Sequence, residues 1–186
     1  MKQIVSKTLV LVTVLAAINL ASAADPVPGG EVDFGKIRPP ATGGQFVEVN
    51  LRENLLALAA RLTEAQEPQV AQVLRGLKAV RVNVVGLDPG NREEVVQRIA
   101  AIRGQLVERG WDRIVTTQQQ DQDVAVFLKL RGAEAIEGIT VTLLEGNREA
   151  VLVNVVGDIR PEQLTLLGER FDLEPLKKIG PAVKKS

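Results

Sequence analysis

Enzymes break bonds with a short list of side chains, and this chain is nearly empty of them. It has no histidine, cysteine or tyrosine, and its serines are Ser6, Ser22 and Ser186. A serine or cysteine nucleophile with an imidazole base is therefore missing. Proton transfer near neutral pH has no imidazole to carry it. Zinc, copper and haem lose their usual nitrogen and sulfur ligands. Carboxylates, lysines and threonines remain. Glycoside hydrolysis needs only two carboxylates, and 23 acids supply many pairs. One tryptophan and four phenylalanines are a thin supply of sugar-stacking platforms.

The spacings that resemble binding motifs are incomplete. Asp121-Gln122-Asp123 offers two carboxylates, short of the acidic loop with a terminal glutamate that holds calcium. Gly86-Leu87-Asp88-Pro89-Gly90 has the strand–glycine–helix order of a phosphate turn, but neither GxGxxG nor GxxxxGK[ST]. Trp111 stands alone where a helix pattern meets a strand pattern, a place for core packing. No aromatic interleaving suggests a nucleic-acid surface. Neither a cofactor nor a metal is expected, and no residue is assigned a catalytic role.

The N-terminus reads as an export signal. Lys2 and Lys7 precede an apolar run over 9–20, and Ala21-Ser22-Ala23 is a small-x-small cleavage site, so cleavage between Ala23 and Ala24 is expected. The run is too short to span a bilayer, where roughly 20 apolar residues are needed. Periplasmic or secreted localisation follows, with no membrane span after cleavage. Losing Lys2 and Lys7 leaves 21 basic against 23 acidic residues, a net −2, so no global field draws in nucleic acid. Oligomeric state is not legible.

Residues 24–44 are rich in proline and glycine and read as a leader in which only 32–37 could dock. One domain is expected over 45–180, with a tail at 181–186. Inside it one stretch is spelled twice: AVRVNVVG at 79–86 and AVLVNVVG at 150–157, with seven identities in eight. Valine at every second place predicts a β-strand. Further strands are predicted over 46–50, 111–117, 124–131, 139–144 and 151–156. Asn50 and Glu53 have capping-box spacing ahead of a helix with Leu55, Leu58 and Leu62 on one face. A second helix starts around Glu67-Pro68 with the stripe Val70, Val73, Leu74 and Leu77. A third, over 92–109, carries Val95, Ile99, Ile102 and Leu106, pairs Glu94 with Arg98, and stops at Gly110. Two more helices are read from Pro161 and over 173–179. Short links after 111 favour a meander. The fold class is α+β: a mostly antiparallel sheet of five to six strands with helices on one face.

If Val80, Val82 and Val84 face the helices, Arg81 and Asn83 face away. Leu152, Asn154, Thr140, Thr142, Lys129 and Arg131 share that phase. A polar sheet face is expected to meet solvent. Arg81, Asn83, Lys129, Arg131, Thr140, Thr142 and Asn154 therefore form the candidate interaction face.

The landmarks FVEVNL (46–51), LKAVRVNVVG (77–86), DVAVFLKLRG (123–132), EGITVTLLEG (137–146) and VLVNVVGDIRPEQL (151–164) resemble the bacterial family called domain of unknown function 4252. The resemblance covers 32–179. It implies an exported or lipid-anchored envelope protein, with genes beside sigma-factor systems and hence a link to envelope stress. Where that family tends to place a second acid after Gly157-Asp158, this chain has Arg160. The leading expectation is an exported, non-enzymatic binding or interaction module with a protein partner in the cell envelope. The alternatives are a regulatory partner of an envelope signalling system of the sigma/anti-sigma type, and a carboxylate-dependent enzyme.

Overall fold

The computed structural model describes residues 29–160, except 42, 133 and 134, together with 163, 164 and 166. The export signal with Ala23 and Ala24, the tail, and most of the helices expected beyond 160 lie outside the described residues. The described elements run β1 (Phe46–Arg52), α1 (Glu53–Thr63), α2 (Pro68–Gly76), β2 (Leu77–Gly86), α3 (Arg92–Glu108), β3 (Asp112–Gln119), β4 (Gln122–Arg131), β5 (Ala135–Glu145) and β6 (Glu149–Ile159). The strands form one antiparallel sheet in the order β1-β2-β6-β5-β4-β3. The expected meander is its larger half, and the two copies of the repeated strand lie side by side as β2 and β6.

Their register creates a local symmetry. Val82 pairs with Val153, and each is the other's counterpart in the repeat. Arg81 pairs with Asn154, and Asn83 with Leu152. A local twofold axis therefore passes between the valines, normal to the sheet, and keeps Asn83 and Asn154 on the same face.

The three helices divide between the two faces, whereas the sequence pattern put them on one. Leu56 of α1 and Val73 of α2 pack with Val80, Val126, Ile139, Val141, Val153 and Val155. The opposite residues of the same strands, Val85, Ala125, Phe127, Ala150 and Leu152, pack with Val95, Ile99, Ile102 and Leu106 of α3. The face read as polar is thus half apolar, and its apolar half buries a helix. The α3 stripe is the one the spacing predicts, and the helix ends in a Schellman arrangement. Trp111 N donates to Leu106 O and Gly110 N to Val107 O, with Gly110 at φ 71°.

Several local readings change. Asn50 is not a cap, because β1 stays paired through Arg52, opposite Ala79, and α1 starts only at Glu53. α1 buries Leu56 and Ala60 and turns Leu55, Leu58 and Leu62 outward, leaving Leu62 74% exposed. Glu94 pairs with Arg38, not Arg98.

The proline- and glycine-rich stretch also packs. Residues 29–37 cross the α3 face as a strap, with Val32 and Phe34 buried against α3 and Trp111. The crossing is backbone on backbone. A Cβ on Gly30 would lie 2.2 Å from Glu137 O, and one on Gly138 would lie 2.6 Å from both Gly30 Cα and Trp111 Cη2. Only glycine admits that approach.

Candidate functional site

Asn154 holds the strap down. Its Oδ1 accepts from Val32 N at 3.1 Å, and its Nδ2 donates to Gly30 O at 3.0 Å, to Ile139 O at 3.1 Å and to Thr140 Oγ1 at 3.2 Å. An adjacent parallel strand would bond the same two strap groups, the carbonyl before a residue and the N–H after it. One side-chain amide does the work of a neighbouring strand. Asn154, Thr140 and Thr142 are fully buried.

The expected wet face is therefore corrected: it lies under α3 and the strap. Thr142 Oγ1 accepts from Arg103 Nε at 2.8 Å, and Arg103 also holds both oxygens of Asp123 at 2.8 and 2.9 Å. That pair ties α3 to the sheet and gives Asp123 a structural task. Lys129 caps α3 from below, donating to Arg109 O at 2.7 Å and Gly110 O at 3.2 Å. A cation suits a helix C-terminus. Arg131 is exposed and pairs with Asp158 at 2.7 Å. Of the seven face residues, Arg81 and Asn83 line a cleft.

That cleft, about 220 Å³, lies between the strap and the β1–β2 edge. Asp33, Phe34 and Gly35 of the strap form one wall, and Glu48 and Asn50 of β1 with Arg81 and Asn83 of β2 line the rest. The register sets Glu48 opposite Asn83 and Asn50 opposite Arg81. Directly paired residues have Cβ atoms about 4.5–5.5 Å apart, so the four polar groups form a compact block.

Arg81 is largely committed. Its guanidinium pairs with the buried carboxylate of Glu31 and donates to Val32 O at 3.0 Å, while Arg52 reaches Glu31 at 3.3 Å. Its Nε is buried without a partner among the described residues. Asn83 is only 7% exposed, and its amide makes no hydrogen bond among the described residues. Asp33 accepts from Gly35 N at 2.8 Å. Neither Asp33 nor Glu48 forms an ion pair among the described residues. Sequence reading missed Asp33, Glu48 and Asn50, because nothing in the pattern showed the strap standing beside them.

The phosphate-like turn is occupied by its own side chains. Asp88 Oδ1 accepts from Gly90 N at 2.7 Å and Asn91 N at 3.0 Å, and Asn91 returns with Oδ1 on Asp88 N at 2.9 Å. The amides a phosphate would use are taken. A larger apolar hollow, about 370 Å³, lies between α1 and α2, with Leu51, Leu62, Val70 and Leu74 in its wall. Among the described residues, no three of Asp, Glu, His or Cys converge, and no helix is long and apolar enough to cross a membrane.

No curated protein and no solved structure matches the chain. A family match covers residues 43–167, from just ahead of β1 through β6, and so takes in the described sheet and the three helices α1, α2 and α3. The chain belongs to the family described as Domain of unknown function (DUF4252).

Proposed function

We propose that the chain is an exported recognition module without catalytic activity, and that the cleft at Asn83 is where it recognises its ligand. The state of Asn83 carries this reading. Its amide makes no hydrogen bond to the described residues and opens onto the cleft, where only solvent or a ligand can meet it. Its counterpart Asn154 is fully bonded in the same local sequence. The cleft thus presents hydrogen-bonding groups that the described residues themselves do not use.

Export rests on the charged, apolar and small-residue order of the first 23 residues, and the exported protein should begin at Ala24. N-terminal sequencing of the protein recovered outside the cytoplasm checks it. A regulatory partner of a membrane-anchored signalling protein is a second reading. It is favoured by the outward leucines of α1, since a contiguous apolar surface suits a protein partner better than a small solute. An enzyme reading would draw on Asp33 and Glu48. It is less favoured, because an acid–base pair sets one carboxyl in water-excluded apolar surroundings, and both of these are exposed at the rim.

Affinity purification from an envelope extract, with wild-type chain and Asn83→Thr in parallel, tests the reading. A partner recovered by wild type and depleted on the variant supports it. Equal recovery on both, or turnover of any substrate by the purified chain, overturns it.

A further inference from the structure

We propose that the cleft takes an extended, positively charged peptide segment of another protein, with Asn83 bonding its main chain as Asn154 bonds the strap. This rests on the reading of the cleft as a recognition site and names what it recognises.

The local twofold carries the proposal. It superposes Asn83 on Asn154 and β1 on β5, so Glu48 stands where Thr140 stands at the other site. At Asn154 the vacant side of the amide is filled by an extended peptide, through Gly30 O and Val32 N. At Asn83 the equivalent space is the cleft. The protein shows within itself what satisfies this asparagine on this face: the carbonyl before and the N–H after one residue of extended chain.

Charge selects the segment. The guanidinium of Arg81 is held by Glu31, which leaves Asp33 and Glu48 as the unpaired charges of the lining. A basic side chain or a free N-terminus meets them, and an acidic segment is repelled. The strap cannot supply the segment, because its residues 33–35 are the cleft's own wall. A volume of 220 Å³ equals about seven water molecules at ~30 Å³ each, which suits two or three residues of chain and not a folded surface.

The test is a titration of the isotope-labelled exported chain, read by NMR at the Asn83 side-chain amide and, in every variant, at the backbone amides of Gly35 and Glu48 in the lining. Four probes are used: acetyl-Gly-Lys-Gly-amide, acetyl-Gly-Glu-Gly-amide, butylamine and glucose. The lysine peptide should shift the Asn83 amide and saturate with a Kd of about 0.1–10 mM, a range set by so small a ligand. The glutamate peptide and butylamine should each bind at least about tenfold more weakly, one lacking the cation and the other the main chain. Glu48→Gln, at the exposed rim, should weaken the lysine peptide about tenfold and leave the glutamate peptide no weaker. Asn83→Thr should weaken both peptides while leaving the urea midpoint in place.

Butylamine binding as well as the lysine peptide would overturn main-chain recognition. Glucose binding in place of either peptide would overturn the ligand class but leave the cleft a recognition site. Silence of the Asn83 amide to all four probes would sink the ligand class, while partner recovery in the purification reports separately on the recognition reading. Binding that emerges only after deletion of residues 181–186 would make the chain's own tail the occupant and refute a partner segment.

Discussion

The two repeated asparagines allow the same substitution in the same local sequence with opposite expected outcomes. Asn154→Thr leaves one hydroxyl to replace an amide that makes four hydrogen bonds. At least two are lost, at about 1 kcal/mol net each, and a stranded buried strap group adds about 1–3 kcal/mol. The alternative is release of the strap, which exposes Val32 and Phe34 at about 1.5–3 kcal/mol each. The molecule takes the cheaper course, and the expected loss is about 3–5 kcal/mol. Asn83→Thr breaks no hydrogen bond among the described residues and adds a residue of higher strand propensity, so it should stay within about 0.5 kcal/mol of wild type. Urea unfolding followed by the fluorescence of Trp111, the chain's single tryptophan, reads both. With a slope of ~2 kcal/mol/M, Asn154→Thr should lower the midpoint by about 1.5–2.5 M, while Asn83→Thr leaves it nearly unmoved. Equal costs at the two sites would refute the assignment of Asn154 as the strap's anchor.

Gly138→Ala drives a methyl into Gly30 and the Trp111 ring, so it should cost at least about 2 kcal/mol and shift tryptophan emission to the red. Gly104→Ala meets open space inside α3 and should add about 0.5–1 kcal/mol in the same melt. Leu56→Ala, at 1% exposure, should cost about 2–5 kcal/mol. Leu62→Ala, 74% exposed, should cost under about 0.5 kcal/mol, and a comparable loss at both positions would mean that α1 is rotated.

The parts of the fold written in local patterns were legible. The α3 stripe, the Gly110 stop, Pro68 opening α2 and the period-two strands of the meander all depend on neighbours in sequence. The side of each element was not. α1 has apolar residues on two sides, Leu56 and Ala60 against Leu55, Leu58 and Leu62, and periodicity does not say which one meets the sheet. The supposed wet face looked polar through Arg81, Asn83, Thr140, Thr142 and Asn154. Ala125, Phe127, Ala150 and Leu152 in the same phase were the sign that a helix covers it. The docking of 32–37 was legible from Val32 and Phe34, two apolar residues two apart, whereas the packing of Gly29, Gly30 and Glu31 was hidden by the prolines and glycines around them. Arg81 and Asn83 were legible as candidates. Asp33 and Glu48 were not, because their meeting with Asn83 depends on long-range packing.

The recurrence of one octapeptide explains how a protein so poor in reactive groups acquires a specific site. Two nearly identical strands paired about a local twofold present the same amide twice on one face, and each is met by the protein, by solvent or by a ligand. A single crossing segment can serve one of them. Once the strap lies over Asn154 its continuation, residues 33–35, becomes the rim of the hollow above Asn83, so filling one site shapes the other. Burial of Val32 and Phe34 holds that rim in place in the free protein, which leaves less ordering to be done when a ligand arrives. The symmetry supplies the recognition group, and the strap, by breaking the symmetry, supplies the cleft.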